Sequence, residues 1–156
     1  VPQVVDAVDI PVIAAGGIAD GRGMAAAMML GAEGVQIGTR FVASTEAQVD
    51  EAYKNRIVKA KDIDSEVTGR SHGHPVRCLR NQMTREYVRL EAEGKTMEEL
   101  EYLTLGSLRK AVQEGDIQNG TVMAGQIAGM IHDIRSCKEI VESINSQCEA
   151  LLHKNW

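Results

Sequence analysis

Ile10-Pro11-Val12-Ile13-Ala14-Ala15-Gly16-Gly17 is an apolar run halted by two glycines, and Gly34-Val35-Gln36-Ile37-Gly38-Thr39 repeats the device in shorter form. A run that is apolar at every position suits a parallel strand buried on both faces. Between the two lies the turn Asp20-Gly21-Arg22-Gly23, with Asp20 placed to cap the helix that follows. Met24 to Leu30 is rich in Ala, Met and Leu and therefore helical by propensity, and Gly31 closes it. Strand, glycine turn, short helix, glycine, strand is a βαβ unit of minimal length, and it predicts a parallel sheet. In such sheets ligands sit at the carboxyl ends of the strands. Both ends here are glycine, where no Cβ holds a phosphate away from the backbone amides. Each glycine end by itself reads more readily as a tight strand-to-helix turn. Two adjacent strands ending alike favour a phosphate site, and in (β/α)8 barrels that site follows strands seven and eight.

Outward from this unit, Val1 to Val8 carries a short helical pattern and Glu46 to Ala60 a charged amphipathic one. Asp62 to Val76 has little periodicity and holds Gly69, Gly73 and Pro75, so an extended or looping excursion is expected. Helical spacing resumes over Cys78 to Ala92. Thr96 to Leu105 begins with a capping box, Glu99 following Thr96 by three residues. Leu105 to Glu114 is a further helix ended by Gly115, Thr121 to Met130 is small and apolar, and Arg135 to Leu152 is an amphipathic terminal helix.

The 156 residues suffice for one core, but a whole barrel needs ~250. The chain reads as the last two strands of a barrel, then a helical excursion and C-terminal helices. We divide it into 1–62, the last barrel units with the phosphate site, 63–120, an excursion covering that site, and 121–156. A net charge of −5 argues against a nucleic-acid binder, which needs a basic stripe. Three cysteines without CxxC spacing support neither a disulfide framework nor a zinc site and point to a cytoplasmic protein. No apolar run reaches the ~18 residues of a membrane span.

Longer matches carry a resemblance. Val12 to Gly21 and Leu30 to Phe41 resemble the barrel end of the nitronate monooxygenase superfamily. Lys61-Asp62-Ile63-Asp64, Gly73-His74-Pro75-Val76-Arg77, Arg80 to Arg85 and above all Gly120 to Gly129 resemble the flavin-dependent, type II enoyl-acyl-carrier-protein reductases of bacterial fatty-acid synthesis. The resemblance implies a (β/α)8 barrel that binds FMN and reduces the trans-2 double bond of an acyl thioester, NAD(P)H being the reductant. Carried over by position, Gly16, Gly17, Gln36, Ile37, Gly38 and Thr39 hold the FMN phosphate and ribityl region. Met123, Ala124, Gly125 and Gln126 lie beside the flavin, and His74 and Arg77 face the substrate. The resemblance further implies acyl carrier protein as partner, a homodimer, a possible monovalent cation, and a catalytic His on an earlier strand, upstream of Ile10. On that reading the chain is a portion of the enzyme and is inactive alone.

Other readings compete at particular residues. His72-Gly73-His74 lacks acid or thiol partners at ligand spacing, so a metal site is not expected. Asp62 and Asp64 look like caps or salt-bridge partners. Arg77, Arg80 and Arg85 are either a solvated helix face or a patch for an acidic partner. Cys78 is expected to be structural. The alternative enzyme is a nitronate monooxygenase on the same flavin site. A non-catalytic helical binding module and a sugar-phosphate barrel enzyme account for fewer of these residues.

Overall fold

The computed structural model describes residues 1–154. After a one-turn helix α1 (Pro2–Val5), strand β1 (Ile13–Ala15) leads into helix α2 (Gly21–Met29) and strand β2 (Gly34–Gln36). The two strands pair in parallel, with Ile13 opposite Gly34, Ala14 opposite Val35 and Ala15 opposite Gln36. Both therefore end at one edge. Asp20 caps α2 as its position predicts, accepting from the amides of Arg22 and Gly23. Gly31, at φ +96°, makes the turn out of the helix where a side chain would be strained.

The β1 pattern calls for burial on both faces, and the chain's own residues do not supply it. Only Ala14 of the strand is buried, while Ile13 is 54% exposed. The cluster beneath the sheet holds Ala14, Ile18, Ala27 and Ala32, with Val35 and Ile37 against it.

Helix α3 (Thr39–Val42) starts directly after Gly38, and α4 (Glu51–Val58) follows. Reading the second strand through Thr39 was too long: the ladder stops at Gln36 and Thr39 opens a helical turn. The helical pattern from Glu46 likewise narrows to Glu51, because Asp50 caps the helix through the amide of Ala52.

The largest departure lies beyond Asp62. A 3-10 turn (Asp62–Asp64) enters β3 (Ser65–Thr68), which pairs antiparallel with β4 (Val76–Leu79). The expected loop is thus a hairpin, and Cys78 belongs to a strand, not to a helix. Its arms are only four residues each and mix charge with apolar residues, so neither shows a periodicity of its own. Helix α5 (Gln82–Ala92) begins where Asn81 and Thr84 cap each other reciprocally. Asn81 Nδ2 also donates to the carbonyls of Ile117 and Gly120, at 2.8 and 2.7 Å. Helices α6 (Met97–Thr104) and α7 (Ser107–Gln113) follow, α6 opening with the Thr96–Glu99 capping box. An extended segment, a 3-10 turn (Gln126–Met130) and α8 (Cys137–Leu152) complete the order.

The main core lies within residues 43–131: Ala43, Tyr53, Ile57, Leu79, Ala111, Val122, Ala124 and Ile131 are all buried in one cluster. Helix α8 returns to the βαβ unit, burying Ile140, Ile144 and Cys148, one stripe at a four-residue spacing. It meets α2 at Gly21, whose amide donates to Gln147 Oε1 at 2.7 Å. A Cβ on Gly21 would come within 2.5 Å of the Ile144 carbonyl, so only glycine permits this approach.

Candidate functional site

The parallel register places Gly16-Gly17 and Ile37-Gly38-Thr39 side by side at the carboxyl edge of the sheet. Gly16 and Gly17 have φ of +93° and +74°, conformations that favour glycine. Gly38 does not: its φ of −105° is open to any residue. All three face open space, since a Cβ on any of them would meet nothing within 4 Å. The amides of Gly17 and Gly38 donate to no main-chain carbonyl among the described residues. An edge of free amides under empty space, next to the first turn of a helix, suits an oxyanion such as a phosphate.

Residues far along the chain complete the edge. Gly125 N donates to Thr39 Oγ1 at 2.9 Å. That bond leaves the Thr39 hydroxyl proton available to a ligand, and it ties the strand end to the Met123–Gln126 segment 86 residues away. Leu79 N donates to the Val122 carbonyl at 2.8 Å, and Cys78 bridges Met123 in antiparallel fashion, so the segment extends the hairpin. Burial alternates along it: Val122 and Ala124 point into the core, whereas Met123 is 41% exposed. Tyr53, on α4, donates its hydroxyl to the Met123 carbonyl at 2.8 Å. Burial pushes its phenol up to about 12, so it stays a donor at neutral pH. Neither Tyr53 nor the Thr39–Gly125 bond has a local signature. Both come from pairing between distant segments.

The cluster contains no free cation. Arg40, next to Thr39, is buried and turned to Asp133 at 3.0 Å. Holding an anion therefore falls to amides and the Thr39 hydroxyl. His74 lies elsewhere, on the hairpin turn, lining a groove of about 410 Å³ with Val76, Tyr87, Met97 and Leu100. Arg77 is nearer: its carbonyl accepts from Ala124 N at 3.4 Å, and its guanidinium donates to Ser65 Oγ at 2.9 Å.

The remaining candidates fall into structural places. His72 Nε2 meets the Lys95 carbonyl at 2.9 Å, and no cluster of metal-ligating side chains occurs among the described residues. Asp64 ties the excursion down, accepting from Lys61 N and from Arg56 at 3.3 Å; the Lys61 amide first, then the Arg56 charge, hold its carboxyl below the usual range. Cys78 is buried, and desolvation raises its thiol to about 11, which leaves it inert. Arg80 and Arg85 share an open groove of about 720 Å³ with Arg56 and Arg89. It is less basic than the sequence suggests, because Arg56 pairs with Asp64, Arg80 with Glu66, and Arg89 with Glu86 and Glu93. Arg85 is exposed and forms no ion pair among the described residues.

A parallel strand pair joined through a helix, with its glycine-ended carboxyl edge open, is the arrangement of strands in an α/β barrel. The chain belongs to the nitronate monooxygenase family, whose description matches residues 1–147. It is 34% identical to a probable nitronate monooxygenase of Staphylococcus saprophyticus, over 99% of this chain and 43% of that protein. Among solved structures, FabK from Thermotoga maritima superposes with a TM-score of 0.92 at 50% identity, covering 97% of this chain and 48% of FabK. A nitroalkane oxidase from Streptomyces ansochromogenes superposes at 0.75, with 29% identity, over 95% of this chain and 42% of that one. The chain spans about half the length of these relatives and corresponds to the C-terminal part of their barrel. That correspondence accounts for the bare faces of β1. Their sequence is written for packing that the rest of a barrel supplies.

Proposed function

We propose that this chain is the cofactor-gripping part of an FMN-dependent enoyl-thioester reductase, acting with NAD(P)H on the trans-2 double bond of an acyl group carried by acyl carrier protein. The observation that carries this is the 50% identity to FabK, the type II enoyl-acyl-carrier-protein reductase, against 29% to 39% for the relatives named for nitronate or nitroalkane oxidation. The open edge formed by Gly16, Gly17, Gly38 and Thr39 fits the phosphate of FMN: it offers amides, a hydroxyl and empty space, and no acid intrudes. Gln36 and Ile37 carry β2 up to that edge. Met123, Ala124, Gly125 and Gln126 form its opposite wall. FMN, when bound, supplies the hydride-transfer chemistry. The residues present here hold it, orient it and close one side against water.

His74 and Arg77 belong to the excursion over residues 63–120, on the side from which substrate approaches in this reading. Arg85, the unpaired cation of the arginine groove, is the contact we assign to an acidic carrier protein. A homodimer and a bound monovalent cation are part of the same reading. Nitronate monooxygenase is the second reading, favoured by the names of the curated relatives. Anaerobic mixing of the flavin-loaded, full-length polypeptide separates the two. Rapid flavin bleaching by NADH or NADPH is expected. Bleaching by a nitronate and not by either nicotinamide would establish the second reading instead.

A further inference from the structure

We propose that Tyr53 is a positioning residue that sets where the Met123 side chain meets the flavin; this rests on the flavin-site reading above. Four bonds fix the segment from Val122 to Gly125, and they arrive from three elements. From β4, Leu79 N holds the Val122 carbonyl and the Arg77 carbonyl holds Ala124 N. Thr39, on α3, holds Gly125 N. Tyr53, on α4, holds the carbonyl of Met123, the residue that turns outward, and does so with a side chain that is itself 3% exposed.

The position of the phenol is fixed by the core. Its ring packs in the cluster with Ile57, Leu79 and Val122, so only the hydroxyl reaches out of the apolar layer. Removing that oxygen leaves the ring in place but frees the Met123 carbonyl. The peptide between Met123 and Ala124 is then held only at its amide, by the 3.4 Å bond to the Arg77 carbonyl, and can tilt, and with it the outward thioether. A methionine sulfur is polarisable and interacts favourably with aromatic rings, so its placement alters the electronic surroundings of a flavin.

The test uses the full-length, flavin-loaded polypeptide in three forms. Tyr53→Phe removes the hydroxyl alone. Met123→Leu keeps the tether and replaces the thioether. Thr96→Ala deletes a helix cap on α6, remote from the site, as a control for lowered stability. The readouts are amide exchange at Ala124 and Gly125, the visible flavin spectrum and the flavin midpoint potential. Tyr53→Phe is expected to speed exchange at both amides by roughly tenfold, the weight of one net hydrogen bond, and to shift spectrum and potential. Met123→Leu is expected to shift spectrum and potential without faster exchange, and Thr96→Ala to change neither. A Tyr53→Phe protein with wild-type exchange, spectrum and potential overturns the proposal while the flavin reading stands. A wild-type polypeptide that holds no flavin overturns both.

Discussion

The βαβ unit and the hairpin-centred half of this chain are built on opposite terms. Around β1 and β2 the buried cluster is three alanines and Ile18, while Ile13 and Met29 stand 54% and 77% exposed. Around β4 and α4 the core is dense, with Tyr53, Ile57, Leu79, Val122 and Ile131 all nearly or wholly inaccessible. Yet the thin half carries the glycine edge and the dense half supplies its second wall. On the proposed reading the cofactor phosphate meets a sheet with a thin core of its own, and Thr39 ties that edge to the segment that Tyr53 anchors in the denser core.

The contrast is broken or sharpened most strongly by truncation. Leu79→Ala should cost ~3 kcal/mol or more in denaturant unfolding, the range for fully buried leucines. Ile13→Ala should cost under about 1 kcal/mol in the chain itself, because half the side chain is already in water. Joined to the remaining barrel strands, the same Ile13 change should approach ~2 kcal/mol. Equal costs at the two positions in the chain alone would end the comparison.

Next comes Gly129→Ala. A Cβ there would lie 2.7 Å from Asp62 N and 2.9 Å from the Lys61 carbonyl carbon, both backbone atoms. Separation of the two 3-10 turns should cost ~1–3 kcal/mol, read as a lowered melting temperature. Gly38→Val should behave in the reverse sense. Its φ is ordinary and its Cβ meets nothing, so stability should hold within ~0.5 kcal/mol. Flavin affinity of the full-length polypeptide should fall tenfold or more in a fluorescence titration, ~1.4 kcal/mol, as the side chain occupies the phosphate's space.

The last effect is alkaline. Burial raises Tyr53 from 10.0 to about 12 and Cys78 from 9.0 to about 11. Both are neutral when folded and ionise more readily when unfolded. Their contribution is therefore whole below the unfolded values and drains away as pH rises through the folded ones. Stability should decline between pH about 9 and 12. In an ultraviolet titration Tyr53→Phe should remove the latest tyrosine phase.

These halves also differ in how far the residues announce them. The glycine ends, the Asp20 cap, Gly31 and the Thr96–Glu99 box are local devices, and each stands where its neighbours in sequence place it. The hairpin has no such local signal. Thr68 and Val76 find each other only through the turn at Gly69 and Gly73, and Asn81 starts α5 while bonding carbonyls 36 and 39 residues away. For the candidate site, Gly16, Gly17, Gly38 and Thr39 stand out because the glycine strand ends are written in consecutive residues. Tyr53 does not, since a tyrosine in an amphipathic helix shows only a core face. The arginine patch is less basic than its own residues suggest for the same reason: Glu66 and Asp64, which pair with Arg80 and Arg56, are distant in sequence and adjacent in space.

The central claim is that this glycine edge serves enoyl-thioester reduction, and one anaerobic experiment addresses it. The flavin of the full-length polypeptide is bleached with one equivalent of NADH, and a trans-2-enoyl thioester is then added without oxygen. The account predicts that the yellow colour returns as one equivalent of saturated thioester forms. Flavin that stays bleached with the enoyl thioester and recovers only on admitting oxygen would contradict it.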